Sequence, residues 1–345
     1  MMRNKKAIDV LNKDDLIVIT GAGGFIAGAL ARYFSEQGFA RIRAIDKKPL
    51  DEWYQRVEGV ESVCMDLSEK DNCVKACQGA TEVYNLAADM GGMGFIERFR
   101  IECLRSILIN THMIEAAYHA GAGRYFFSSS ACAYNTTLQE DANVRALKES
   151  DAYPAMAERG YGWEKLMSEM FCQEYWAERE MKTFIARFHN VYGPYGTWDG
   201  GREKAPAAIC RKVIEARDSG KHEIVIWGDG LQTRSFMYID DCINGIDMIM
   251  HCEELIATPI NLGSDRLVSI NELVSIVEKI GGITLKCHYD PDAPTGVAGR
   301  NSDNTFIKQV LNWEPATPLE KGLEKTYRWI SQQYADRKAG KRTVS

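Results

Sequence analysis

The stretch LIVITGAGGFIAGALARYFSEQG, from Leu16 to Gly38, limits what this chain can fold into more than any other. Its first five residues are apolar or β-branched and read as a short buried strand. Glycines break the run. Apolar residues then recur at helical spacing until Gly38 stops the helix. A strand, a glycine-rich turn and a helix in that order open a βαβ unit. Gly21 and Gly24 allow a tight turn and a close approach to a pyrophosphate, and the helix start offers unpaired N–H groups to an anion. The third small position is Ala27, which the dinucleotide-binding pattern tolerates. Such a turn can also be purely structural, so its neighbours have to be weighed.

The neighbours repeat the alternation. RIRAID, EVYNLAA (82–88), RYFFSSS (124–130) and TFIARF read as strands, with helical stretches at about 100–120 and at 161–178 between them. Strands alternating with helices of this length imply a parallel sheet in an α/β, Rossmann-type doubly wound domain, placed at 14–188. Near Asn190 the regularity stops. YGPYGTWDGGREKAPA is a Gly- and Pro-rich loop leading into a helix, and a smaller domain is expected over 189–330. Residues 1–13 and 335–345 are polar and expected to be loose.

Composition narrows the function. With 345 residues, 45% hydrophobic and 26% charged, the chain is an ordinary globular one. A net charge of -6 gives no support to nucleic-acid binding. Ten cysteines are scattered without a CxxC pair, so neither a disulfide framework nor a metal site is expected. Cys73 and Cys77, one helical turn apart, read as packing. No leader-like or membrane-length apolar run stands out, and a reduced, cytoplasmic protein off the membrane is expected.

Two further features carry chemistry. Asp46 ends the second strand about twenty residues past the glycine turn, where a carboxylate holds an adenosine ribose hydroxyl and favours NAD. Lys47 and Lys48 weaken that preference. Asp66 bounds the adenine pocket or is a plain solvated Asp. Tyr161 and Lys165 lie at i and i+4, on one helix face. An ammonium beside a phenol is expected to lower its pKa from ~10, which suits it to take a hydroxyl proton.

TGAGGFIA, SSSAC and YxxxK in this order resemble the extended short-chain dehydrogenase/reductase family of nucleotide-sugar enzymes. NLAADMGGMGFI, SSACAY, RFHNVYGPYGTWDGGREKAPAA, WGDGLQTRSF and GRNSDN are similar to members that invert both carbons flanking C4 of a GDP-hexose. The resemblance spans about residues 16 to 330. It implies a tightly bound, recycled NAD held by Gly21, Gly24, Phe25, Ile26, Asp46, Asp66, Tyr161 and Lys165. It makes Tyr161, Lys165 and Ser130 the redox residues, with Ser129 as a helper, and Cys132 and Lys204 the acid–base pair. Gly91, Gly92, Gly94, Asn190, Glu203, Lys212, Gln232, Arg234 and Arg300, with Ser130, Cys132 and Lys204, are implied to hold the GDP-sugar. Ala298 and Asn135 depart from the pattern, where an arginine and a proline are expected. The resemblance also implies a chain that returns to the first domain near 236–265, and a homodimer built on two helices, one of them carrying Tyr161.

The chemistry explains those residue types. A proton on an ordinary sugar carbon is not acidic enough to remove. A ketone at C4 makes the C3 and C5 protons removable, each with a base on one face and an acid on the other. A thiol near ~8.5 and a lysine lowered by burial can serve. Another GDP- or UDP-sugar epimerase or dehydratase is the alternative, and a non-catalytic NAD-binding regulator a more distant one. A 4-epimerase leaves Cys132 and Lys204 idle. A 4,6-dehydratase wants carboxyl groups at Ala131 and Cys132.

Overall fold

The computed structural model describes residues 11–341 and 343. In chain order its elements are β1 (Leu16–Thr20), α1 (Phe25–Glu36), β2 (Arg41–Asp46), β3 (Glu61–Cys64), α2 (Lys70–Cys77), β4 (Glu82–Asn85), α3 (Met93–Arg98), α4 (Arg100–His119), β5 (Arg124–Ser130), α5 (Tyr161–Arg179) and β6 (Lys182–Phe188). Then follow β7 (Asn190–Tyr192), α6 (Ala205–Ser219), β8 (Glu223–Trp227), β9 (Thr233–Tyr238), α7 (Ile239–Met250), β10 (Pro259–Leu262), β11 (Leu267–Ser269), α8 (Ile270–Gly281), β12 (Lys286–Asp290), β13 (Gly299–Arg300), α9 (Thr305–Leu311) and α10 (Leu319–Lys338).

Seven strands form one parallel sheet in the order β10-β6-β5-β4-β1-β2-β3. β1 sits inside it and is buried at every position, which is why its sequence is apolar throughout instead of alternating. Its side chains still divide between the faces: Ile17 and Ile19 join a core with α1 and α7, and Leu16 and Val18 one with α2 and α4. Cys73 and Cys77 lie in that second core, where burial pushes both thiols up to about 12. They pack.

β10 adds to the sheet edge beside β6, and α7 packs on α1, so the segment after β9 returns to the parallel sheet. Outside the sheet, β7, β9, β11 and β13 form a small mixed sheet and β8 pairs with β12, flanked by α6, α8 and α10. No described helix is long and apolar enough to cross a membrane.

Two local expectations change. The stretch from Ala335, read as loose, is helical through Lys338. Arg337 Nη1 pairs with Asp199 at 2.6 Å, its guanidinium covers the Trp198 ring at 4.2 Å, and two basic residues suit the helix C-terminus. Of the leading segment, residues 1–10 lie outside the described residues, and 13–14 form a turn into β1. The second concerns Cys132, which lies two residues past Ser130 and would share its side if the strand continued. β5 stops at Ser130, and Ala131–Ala133 is a single 3₁₀ turn that the Ser130 hydroxyl caps by accepting from the Cys132 N–H at 3.1 Å. Cys132 is therefore not on a continued strand.

Candidate active site

Two clefts meet at the carboxyl ends of the sheet strands, where ligands bind in open α/β sheets. The larger, about 570 Å³, is lined by Gly21, Gly24, Phe25, Ile26, Asp46, Asp66, Tyr161 and Lys165 among others. The smaller, about 300 Å³, is lined by Gly91, Gly92, Gly94, Asn190, Glu203, Lys212, Gln232, Arg234 and Arg300, with Ser130, Cys132 and Lys204. Ser130, Tyr161 and Lys204 line both and form the wall between them.

The larger cleft fits a dinucleotide. Gly21 has φ +75°, and a Cβ there would come within 3.0 Å of the Ala87 backbone. No side chain caps the start of α1, so its first N–H groups are free to face an anion. Asp46 accepts from the N–H of Gly23 at 3.0 Å and of Lys48 at 2.9 Å, which fixes its carboxylate at the end of β2. Lys47 pairs with Asp89 across the cleft rim. Asp66 caps its own turn through the Ser68 N–H at 2.9 Å, and that bond holds its carboxyl below the usual range.

Tyr161 and Lys165 stand on the face of α5 that packs against β5, and both are buried. Burial holds the Tyr161 phenol well above its ordinary value; Cys132 and Glu164 add to that, and a hydrogen bond with Ser130 opposes it. The phenol is not lowered as the i, i+4 pairing suggests. Lys165 Nζ is 5.5 Å from the ring centroid, and the Glu164 carboxylate 3.8 Å away balances its charge. Ser129 also lines the larger cleft, and its hydroxyl donates to Glu169.

Cys132 is enclosed by charge. Arg300 Nη1 donates to its Sγ at 3.1 Å. Burial pushes the thiol up, Glu158 adds to this, and Arg300 opposes it. Lys204 is the residue before α6, where the helix dipole disfavours a cation. Burial lowers its ammonium, and the nearby Arg300 charge lowers it further. A thiol held up and an amine held down are brought nearer to one another in proton affinity.

The remaining substrate-cleft residues are held by their own neighbours. Arg234 donates to the carbonyls of Thr233 at 2.7 Å, Thr295 at 2.9 Å and Val297 at 2.7 Å, and burial lowers it to about 10. Lys212 Nζ donates to the Val225 carbonyl at 2.7 Å, and Asn190 to that of Ser235 at 3.1 Å. Gln232 donates to Trp227 at 2.9 Å, and its own Oε1 is buried without a partner among the described residues. Glu203 accepts from Arg211 at 3.0 Å. A Cβ at Gly92 would meet the Glu203 carbonyl at 2.5 Å, so the glycine loop lies directly on the chain that carries Lys204.

Sequence reasoning passed over Glu158, Gln139, His189 and Trp227. Trp227 and His189 line the substrate cleft. Gln139 and Glu158 both accept from Arg300, at 2.6 and 3.1 Å. Nothing in the local pattern marks them, because their partner lies far away in sequence. At the departing positions, Asn135 caps the next turn by accepting from Thr137 N–H at 2.9 Å, and Ala298 contributes its backbone carbonyl to Thr233 at 2.9 Å. Among the described residues, no cluster of three or more His, Cys, Asp or Glu is set to hold a metal.

The chain is 45% identical over 318 residues to GDP-mannose 3,5-epimerase 1 of Oryza sativa subsp. japonica, covering 92% of this chain and 82% of that one. It is 44% identical over 330 residues to GDP-mannose 3,5-epimerase of Arabidopsis thaliana, covering 95% and 85%. Among solved structures, UDP-glucuronic acid 4-epimerase from Bacillus cereus, in complex with UDP-glucuronic acid and NAD, superposes with a TM-score of 0.79 at 25% identity over 92% of this chain and 99% of that one. UDP-glucose 4-epimerase of Thermotoga maritima shares the fold with a TM-score of 0.80 at 22% identity, covering 92% and 99%. The sequence pattern of one NAD-dependent family matches residues 17–263, more than half the chain, and includes the glycine turn and the Tyr161–Lys165 pair. The protein thus belongs to the NAD dependent epimerase/dehydratase family.

Proposed function

We propose that the protein inverts C3 and C5 of GDP-D-mannose, giving GDP-L-galactose, with GDP-L-gulose where C5 alone is inverted. The observation that carries this is the wall between the clefts. Cys132 and Lys204, a thiol and an amine, stand beside Tyr161 and Ser130 in one cleft. A reaction at C4 alone would use Tyr161 and Ser130 and leave the other two without work.

Gly21, Gly24, the start of α1, Asp46, Tyr161 and Lys165 hold NAD, which when bound accepts hydride from C4 and returns it. Tyr161 Oη takes the C4 hydroxyl proton, oriented by Ser130 Oγ. Taking that proton needs the phenolate of Tyr161, which the Lys165 ammonium steadies against the burial that raises the phenol. Once C4 is a ketone, Cys132 Sγ and Lys204 Nζ remove and deliver protons at C3 and C5. Arg234 and Lys212 bind the diphosphate; among the described residues Arg234 is bonded to carbonyls and to no carboxylate, so its charge is available to an anion. Gly92, pressed against Glu203, lets the loop close over the sugar.

The test is incubation with GDP-mannose in D2O, followed by mass and NMR. Deuterium at both C3 and C5 is expected. Turnover without solvent deuterium would replace this reading by a 4-epimerase. Cys132→Ala is expected to abolish exchange at both carbons while NAD is still reduced at C4, seen as absorbance of the reduced cofactor.

The same reading includes a homodimer through α4 and α5, which pack together and expose Ile101 at 73%, Met167 at 51% and Met170 at 47%. All ten cysteines are free, which fits the reducing cytoplasm.

A further inference from the structure

Glu158 lies three residues before Tyr161 and has two holds on Cys132. Its backbone N–H donates to the Cys132 carbonyl at 3.0 Å. Its Oε2 accepts from Arg300 Nη2 at 3.1 Å, and the same guanidinium reaches Cys132 Sγ through Nη1 at 3.1 Å. Nε of Arg300 is tied to Gln139 at 2.6 Å, so the guanidinium is fixed between the carboxylate and the sulfur. The other carboxylate oxygen, Oε1, is buried and has no hydrogen-bond partner among the described residues. A buried acceptor left open in this way calls for an explanation. The Glu158 charge beside the thiol favours the protonated sulfur.

The stereochemistry of the function proposed above, on which this inference rests, supplies a role. In the chair of D-mannose the hydrogens on C3 and C5 are axial and lie on the same face. Both inversions therefore remove a proton from that face and deliver one to the other. If Sγ takes the first proton, it must lose it before the second inversion. If Nζ takes it, Sγ has donated and must be reloaded. In either order one proton crosses to or from Sγ between the inversions.

We propose that Glu158 is the positioning residue that makes this exchange, through its carboxylate. In one direction the S–H bond breaks as O–H forms on the carboxylate, and the electron pair stays on sulfur as a thiolate facing Arg300. In the other, O–H breaks and S–H re-forms. Glu158 returns to its starting state when its carboxyl group turns and trades the proton with water at the 14% of the side chain that is exposed. Lys204 is reset by water in the substrate cleft. Atoms and charge balance, and water is the sole co-reactant.

Glu158→Gln keeps the shape and an acceptor for Arg300 but cannot carry the proton. The first inversion is expected to stay within threefold of wild type and the second to slow more than tenfold, so the singly inverted product accumulates. KM and bound NAD should not move. An unchanged ratio of singly to doubly inverted product overturns the proposal. So does an equal loss of both inversions, which would mean that Glu158 only supports Arg300. Should the variant not fold, the wild type carries the test. GDP-mannose deuterated at C5 and turned over in ordinary water is expected to lose its label to solvent, with none carried to C3. Substantial transfer to C3 overturns the exchange through Glu158. Wild type that washes no deuterium into either carbon fails the proposed function itself; wild type labelled at both, with Glu158→Gln behaving identically, fails only this inference.

Discussion

At the scale of single residues, Gly162 and His189 show how tightly the site is built. Gly162 is the second residue of α5, and a Cβ there would fall 2.1 Å from the Cys132 carbonyl oxygen. Gly162→Ala must push the Cys132 turn aside. A stability loss of ~1–3 kcal/mol is expected, as for other overpacked sites. A thiol moved by an ångström is expected to slow kcat by roughly 10²-fold. Melting curves and kcat check the two separately. His189 lies in the wall of both clefts, and burial lowers it to about 4 from an ordinary 6.5. Below pH 6.5 the unfolded chain takes up a proton that the folded one refuses. Stability is therefore complete above 6.5 and falls as pH drops toward 4, by on the order of 3 kcal/mol from this group. Urea midpoints at pH 7 and 4.5 test it, and His189→Asn should remove that part of the slope.

At the scale of elements, α5 is fixed by more than the apolar face that its periodicity shows. Arg187 on β6 donates to Glu169 on α5 at 2.9 and 2.7 Å, both are buried, and Ser129 of β5 donates to the same carboxylate. Arg187 also holds the Glu149 carbonyl at 2.7 Å. This joins the helix carrying Tyr161 and Lys165 to the strands carrying Ser130 and Phe188. Glu169→Ala leaves a buried guanidinium unpaired and is expected to cost about 3–5 kcal/mol. The paired change Glu169→Leu with Arg187→Met should recover most of it. Chemical denaturation of the wild type and the two variants gives both numbers. The strands and helices of the first domain are legible because the periods of 2 and 3.6 survive in the sequence. The Glu169–Arg187 pair is not, because nothing in a helix marks which buried carboxylate has a partner eighteen residues away on a strand.

At the scale of the whole molecule, α4 and α5 present one contiguous apolar face, with Ile101, Leu104, Leu108, Trp163, Met167 and Met170 all exposed. A monomer rarely leaves such a patch bare. Met167→Glu combined with Met170→Glu is expected to give a particle of half the mass by light scattering. Elution unchanged from wild type would remove the homodimer. The arrangement of the sheets was only partly legible. The loss of regular alternation after Asn190 marks the change. The return of β10 to the sheet edge depends on a pairing with β6 that four residues do not announce.

The sequence alone determined the parallel α/β sheet, the glycine turn at its centre and the residue types the chemistry needs. These follow from local periodicity, from the freedom of glycine at positive φ and from the spacing of Tyr161 and Lys165 on one helix turn. Tertiary structure alone decided how those groups behave. It ended β5 at Ser130 and set Cys132 on a separate turn. It bonded Ser129 to Glu169, held Tyr161 above its ordinary pKa by burial, and brought Arg300, Gln139 and Glu158 around the thiol. Burial and long-range charge set proton affinity, and neither is a property of neighbours in the chain.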